Sequence, residues 1–133
     1  VGGVVLVEAS SPDEAMDPTR LGPMARAISA VMAGIDRLRG RPRGLDEIDS
    51  VAETVRQIRA APPFPDVPLV VVTGGKRMPL VPAAAFAAHQ DAQRGRVVLS
   101  PQGRQVVAPG SGHFPQLTEP AVVVAAIREV AAR

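Results

Sequence analysis

The chain has 133 residues, 46% of them hydrophobic, with aromatic residues at 2% and a formal net charge of +2. That length holds one modest hydrophobic core and not two ordinary domains. The lack of Trp and Tyr argues against a base-stacking nucleic-acid platform. The lack of Cys excludes disulfides, thiolate metal sites and cysteine nucleophiles.

The first element is Val4-Val5-Leu6-Val7, a short β-branched run preceded by glycines and followed by Ser10-Ser11-Pro12-Asp13. It predicts a strand buried on both faces, as in a parallel sheet. No basic segment precedes it as a secretory signal would require. A chain that opens inside a strand has the look of a processed product or of one piece of a larger protein, and the expected location is cytoplasmic. Spacings of three and four along Met24, Ile28, Val31, Met32, Ile35 and Leu38 predict a helix over 23–39. Arg37, Arg39, Arg41 and Arg43, with Gly40, Pro42 and Gly44 among them, then form a solvated basic loop. A second helix over 46–61 carries Ile48, Val51, Ala52, Val55 and Ile58 on its stripe, and Pro62-Pro63-Phe64-Pro65 stops it.

Pro68 to Thr73 predicts a second buried strand closed by Gly74-Gly75, followed by a helix over 82–94 that opens on Pro82. His89 falls on that helix as a surface residue. Gly103 to Ala108 predicts a third strand. The last helix starts after Thr118, a suitable cap, with Pro120 in its first turn and Val123, Val124, Ile127 and Val130 as apolar positions. Strands alternating with helices define the α/β class, a three-layer parallel-sheet sandwich. Residues 1–133 form a single domain in which 14–61 is a helical, cap-like insertion. No apolar run reaches the ~18 residues of a membrane span.

In parallel sheets, active residues gather on loops past the carboxyl ends of the strands. The first such loop carries Glu8, Ser10, Ser11 and Asp13, the second Thr73 to Met78, and the third Ser111, Gly112 and His113. A carboxylate and a histidine on neighbouring loops have the chemistry of an orienting acid and a general base. No cluster of His, Asp and Glu has metal-ligand spacing, and Gly74-Gly75 lacks the spacing of a phosphate loop. Neither a metal nor a cofactor is expected.

The segments VGGVVLVEASSPD, FPDVPLVVVTGG, HQDAQRGRVVLSPQGRQVV and GSGHFPQLTEPAVVVAAIREV together resemble the C-terminal half of an α/β-hydrolase, its sixth to eighth strands with their helices. The resemblance covers most of the chain and is weakest over 14–61, where that family places its variable cap. It implies a partial α/β-hydrolase fold, with His113 as the catalytic histidine of a serine esterase-like enzyme. Many family members carry the acid in a G-x-x-D-P-L-V-P frame. Here Gly75 to Pro82 fits that frame with Met78 at the acid position, and methionine cannot orient an imidazole. Some branches place the acid at the end of the sixth strand, where Glu8 stands. Glu8 is therefore favoured, with Asp13 as the other candidate.

The family nucleophile sits in a G-x-S-x-G elbow, and no serine here has that frame. The expected function is thus the triad His and acid of a serine hydrolase acting on an ester or related small apolar substrate. Its nucleophile would come from an upstream segment or a companion chain, and the chain alone would be inactive. The rival expectation is a non-catalytic scaffold or interaction domain. Either way, the unpaired edge of Val4 to Val7 calls for a partner, a companion chain or a second copy. Nucleic acid is not an expected partner.

Overall fold

The computed structural model describes residues 2–10, 47–79 and 81–132, with residues 47–52 as backbone only. The expected helix over 23–39, the basic run Arg37 to Arg43 and the alternative acid Asp13 lie outside the described residues. The chain divides into two units, residues 1–10 with 63–133, and residues 11–62.

In the second unit the described element is α1 (Glu47–Ala60), close to the expected span. It ends where the Ala61 N–H donates to the Ile58 carbonyl at 3.2 Å and two prolines follow, neither of which can donate a helical hydrogen bond. Val55 is buried, whereas Ile58 is half exposed. Glu53 holds Arg56 and, at 2.9 Å, the Gln57 amide on the outer face.

The first unit is an α/β layer structure. Its strands β1 (Val4–Val7), β2 (Leu69–Gly74) and β3 (Gly103–Ala108) form a parallel sheet in the order β1-β2-β3. Val4 stands opposite Leu69 and Val7 opposite Val72 on one side of β2, and Leu69 to Gly74 face Gly103 to Ala108 on the other. The central strand LVVVTG is buried at all six positions, the pattern of a parallel strand covered on both faces. β1 was expected to be buried on both faces as well, yet its four residues are only half-buried. Its single sheet neighbour among the described residues is β2, so one flank lacks the cover that β2 has.

Helices α2 (Ala83–Gly95), α3 (Pro115–Thr118) and α4 (Pro120–Ala131) complete the unit, with a 3-10 turn at Arg96–Leu99. Val70 and Val72, two apart and so on one face of β2, pack with Val123, Ala126 and Val130 of α4, and Val5, Val7, Val106 and Val122 surround them. Burying each such valine stabilises the fold by about 1.5–3 kcal/mol relative to exposure. α2 and the 3-10 turn also lie against β2.

The expected apolar stripe of α4 divides, with Val123 and Val130 inside and Val124 and Ile127 about half exposed. Ala126 completes the inner row, since positions three and seven apart share a face with Val123. The expected cap Thr118 does not cap this helix. Glu119 occupies that place with no side-chain cap bond, and the Thr118 hydroxyl donates instead to Ser111 Oγ at 2.6 Å, with the Phe114 carbonyl 3.0 Å away sharing the same single proton. Among the described residues, no helix is long and apolar enough to cross a membrane.

Candidate active site

The site is built where the three strands end. Glu8 is the residue after β1, and its N–H still makes the last sheet bond, to the Val72 carbonyl at 3.0 Å. Its φ of 48° lies in the left-handed region, where a Cβ crowds the backbone at a cost of roughly 1–2 kcal/mol. Such strain persists only where surrounding bonds enforce it. Here they do. Glu8 Oε1 accepts the Gly74 N–H at 2.7 Å, while Oε2 lies 3.1 Å from His113 Nδ1 and 3.0 Å from His89 Nε2. The carboxylate side chain is only 6% exposed.

The loops after β2 and β3 close tightly on one another. Gly75 N–H donates to the Ala108 carbonyl at 2.8 Å and Lys76 N–H to the Ser111 carbonyl at 2.9 Å. Gly74 is required there because a Cβ on it would stand 1.9 Å from the Gly112 carbonyl oxygen. This contact sets the height at which His113 leaves the sheet edge.

Ser111 is fully buried. Its hydroxyl donates to Glu119 Oε2 at 2.7 Å and accepts from Thr118. It ties the loop to the helix behind it and is not available as a nucleophile.

The His113 side chain is 53% exposed, with its ring set edge-on to Phe114 at 5.1 Å. An ionised carboxylate only accepts, so a neutral His113 ring bonded to Glu8 carries its proton on Nδ1. Nε2 is then left with its lone pair, the state a general base needs. His113 and Glu8 line a cavity of about 230 Å³ together with Ser10, Lys76, Met78, Val81, Ala85 and Phe86. Met78, Val81, Ala85 and Phe86 give it an apolar wall. Met78, at the position where the resembled family carries its acid, is half exposed and contributes a thioether to this wall.

His89 corrects the sequence reading. It is not a surface residue but lines the same cavity, 29% exposed, with Nε2 on Glu8. The missed signal was the polar triplet His89, Gln90 and Gln93 on an otherwise alanine-rich helix. Gln93 is fully buried with its amide on the Ala9 carbonyl at 2.9 Å, and Gln90 reaches the Gly74 carbonyl at 2.7 Å.

Among the described residues no group of three His, Cys, Asp or Glu side chains has metal-holding geometry. What the arrangement can do is hold a neutral imidazole in one tautomer at the mouth of an apolar cavity.

Fold and site together define a parallel α/β unit with a buried carboxylate between two imidazoles at its carboxyl edge. No protein-family model, curated protein or solved structure matches the chain.

Proposed function

We propose that Glu8 and His113 are the acid and base of a serine hydrolase of α/β-hydrolase type, acting on an ester or related small apolar substrate. The observation that carries the reading is the His113 Nδ1 to Glu8 Oε2 contact at 3.1 Å, made by a half-exposed ring lining an apolar cavity. In this reading a serine hydroxyl attacks the substrate carbonyl while His113 Nε2 takes its proton. The buried carboxylate stabilises the resulting imidazolium, and Nε2 returns the proton to the leaving oxygen. A water repeats the sequence to release the acid. In this reading the serine comes from an upstream segment or a companion chain bearing the elbow, because no serine of this sequence has the G-x-S-x-G frame.

The apolar walls of Met78, Val81, Ala85 and Phe86 suit a short acyl group. The test is turnover of short p-nitrophenyl esters and labelling by a fluorophosphonate, on the purified chain and on any complex it forms with an elbow-bearing chain. The active assembly loses turnover with His113→Ala, and unchanged turnover removes the assignment. Ser10 lines the cavity beside His113, so labelling of the chain alone that disappears in Ser10→Ala would place the nucleophile within the chain.

The interlocked bonds of Ser111 and the lack of any elbow serine favour a second reading, a non-catalytic scaffold of the same fold. A clean homodimer with neither turnover nor labelling supports it.

A further inference from the structure

We propose that His89 is a positioning residue that locks Glu8 and thereby holds His113 in its Nδ1–H tautomer. The inference rests on reading Glu8 and His113 as an acid–base pair. It starts from a conflict at one atom. His89 Nε2 lies 3.0 Å from Glu8 Oε2 and 3.3 Å from Gln93 Nε2, and one ring nitrogen cannot both donate to the first and accept from the second. A lone pair aimed at an ionised carboxylate is repelled, and the charged acceptor at 3.0 Å holds the ring proton more strongly than the amide contact at 3.3 Å competes for the lone pair; the Gln93 amide keeps its bond to the Ala9 carbonyl at 2.9 Å. The proton therefore sits on His89 Nε2 and points at Glu8.

Glu8 Oε2 has two lone-pair directions, and the two imidazole N–H groups occupy both, at 3.0 and 3.1 Å. Oε1 is held by the Gly74 N–H at 2.7 Å. A glutamate side chain has three rotatable bonds, so its carboxylate plane is fixed only by its donors. Two of the three are His89 and the Gly74 amide, each on a rigid element, and the third is His113 itself. The helix that carries His89 also fastens Gly74 through Gln90 and Ala9 through Gln93, so α2 clamps both strand ends that present the acid. Without the His89 donor the carboxylate turns about its last bond, and the Nδ1–H of His113 loses its fixed acceptor. The two rings are thereby assigned opposite tautomers, Nδ1–H for His113 and Nε2–H for His89.

These are the only two histidines in the chain, so the nitrogen-15 imidazole spectrum in alkaline buffer reports both, and the single variants assign it. Wild type is expected to show one ring of each tautomer. His89→Phe, which keeps ring bulk without the donor, is expected to populate the Nε2–H form of His113. His89→Gln, which restores an N–H at that reach, is expected to return His113 to Nδ1–H.

A His113 ring that stays wholly Nδ1–H in His89→Phe overturns this inference and leaves the Glu8–His113 pair standing. A wild-type His113 that is not Nδ1–H overturns the pair and this inference together. A wild-type His89 carrying its proton on Nδ1 overturns the inference without any variant, should His89→Phe fail to fold. Loss of the tautomer in folded His89→Gln as well as His89→Phe also refutes it, since donation from position 89 would then not be the cause.

Discussion

Gly74→Ala tests the geometry of the site through a single methyl group. The added Cβ would lie 1.9 Å from the Gly112 carbonyl oxygen and 2.8 Å from that of Ser111, both backbone atoms. A carbon–oxygen contact needs about 3.3 Å, so the two loops must part by roughly 1.4 Å. The Gly74 N–H that holds Glu8 Oε1 sits on the residue that moves, and His113 follows Gly112 directly. Overpacking of this kind costs about 1–3 kcal/mol, and a misplacement near 1 Å lowers catalysis by about a hundredfold where a bound geometry is needed. Urea unfolding gives the stability change, and the His113 ring signals report the displacement. Gly95→Ala is the control, since nothing lies within 4 Å of its Cβ. Placed at the end of α2, it should be neutral or stabilise by up to about 1 kcal/mol. Equal midpoints and unshifted His113 signals for Gly74→Ala would refute the close-approach argument.

Glu8→Gln replaces an acceptor of three N–H groups with an amide that can accept at one oxygen only. Urea unfolding should show a loss of about 2–3 kcal/mol, the scale of hydrogen bonds to a charged group. Ser111→Ala leaves Thr118 and Glu119 without their shared partner and should cost about 1–3 kcal/mol, while fluorophosphonate labelling of an active assembly stays unchanged. Val72→Ala, in the fully buried centre of β2, should lower stability by about 2 kcal/mol through lost transfer energy and a residual cavity, read from the urea midpoint at constant slope.

Arg104→Ala should cost less than about 1 kcal/mol, and less still in high salt, because the pair it forms with Glu129 is exposed to solvent. The hydrogen bond to Glu129, and behind it the charge of that carboxylate, hold the Arg104 guanidinium above its ordinary value against a desolvation that lowers it. A raised cationic group contributes fully below its unfolded titration and loses the contribution only as pH climbs through the folded one. The Arg104 effect should therefore be flat with pH across the neutral range.

The strands were legible because valine runs closed by glycine leave little choice of conformation, and the same is true of helices ended by Pro62 or opened at Pro82. Burial within those elements was less legible, because it depends on neighbours far along the chain. β1 and β2 have similar sequences, yet only the central strand is covered on every side. Val124 and Ile127 look like core residues by spacing, but α4 meets the sheet along Val123, Ala126 and Val130, one residue out of phase. Thr118 fits a cap by type and position, and its hydroxyl serves Ser111 instead. Their places after strands put Glu8 and His113 at the carboxyl edge of the sheet, and the structure brings the two within 3.1 Å. His89 could not be placed there from sequence, because helix periodicity puts a polar residue outside by default. Only the fold reveals that α2 turns His89, Gln90 and Gln93 toward two strand ends.

The connection between β1 and β2 carries a kinetic consequence. Roughly sixty residues separate those strands against roughly thirty between β2 and β3, and closing the longer loop costs only about 0.6 kcal/mol more. Every donor to the carboxylate, from Gly74, His89 and His113, lies on the shorter and more local side. Contacts of short sequence separation tend to form sooner, an order in which β2, α2 and β3 would bring the three N–H groups together first. Docking of β1 would then deliver the Glu8 carboxylate to donors already in place.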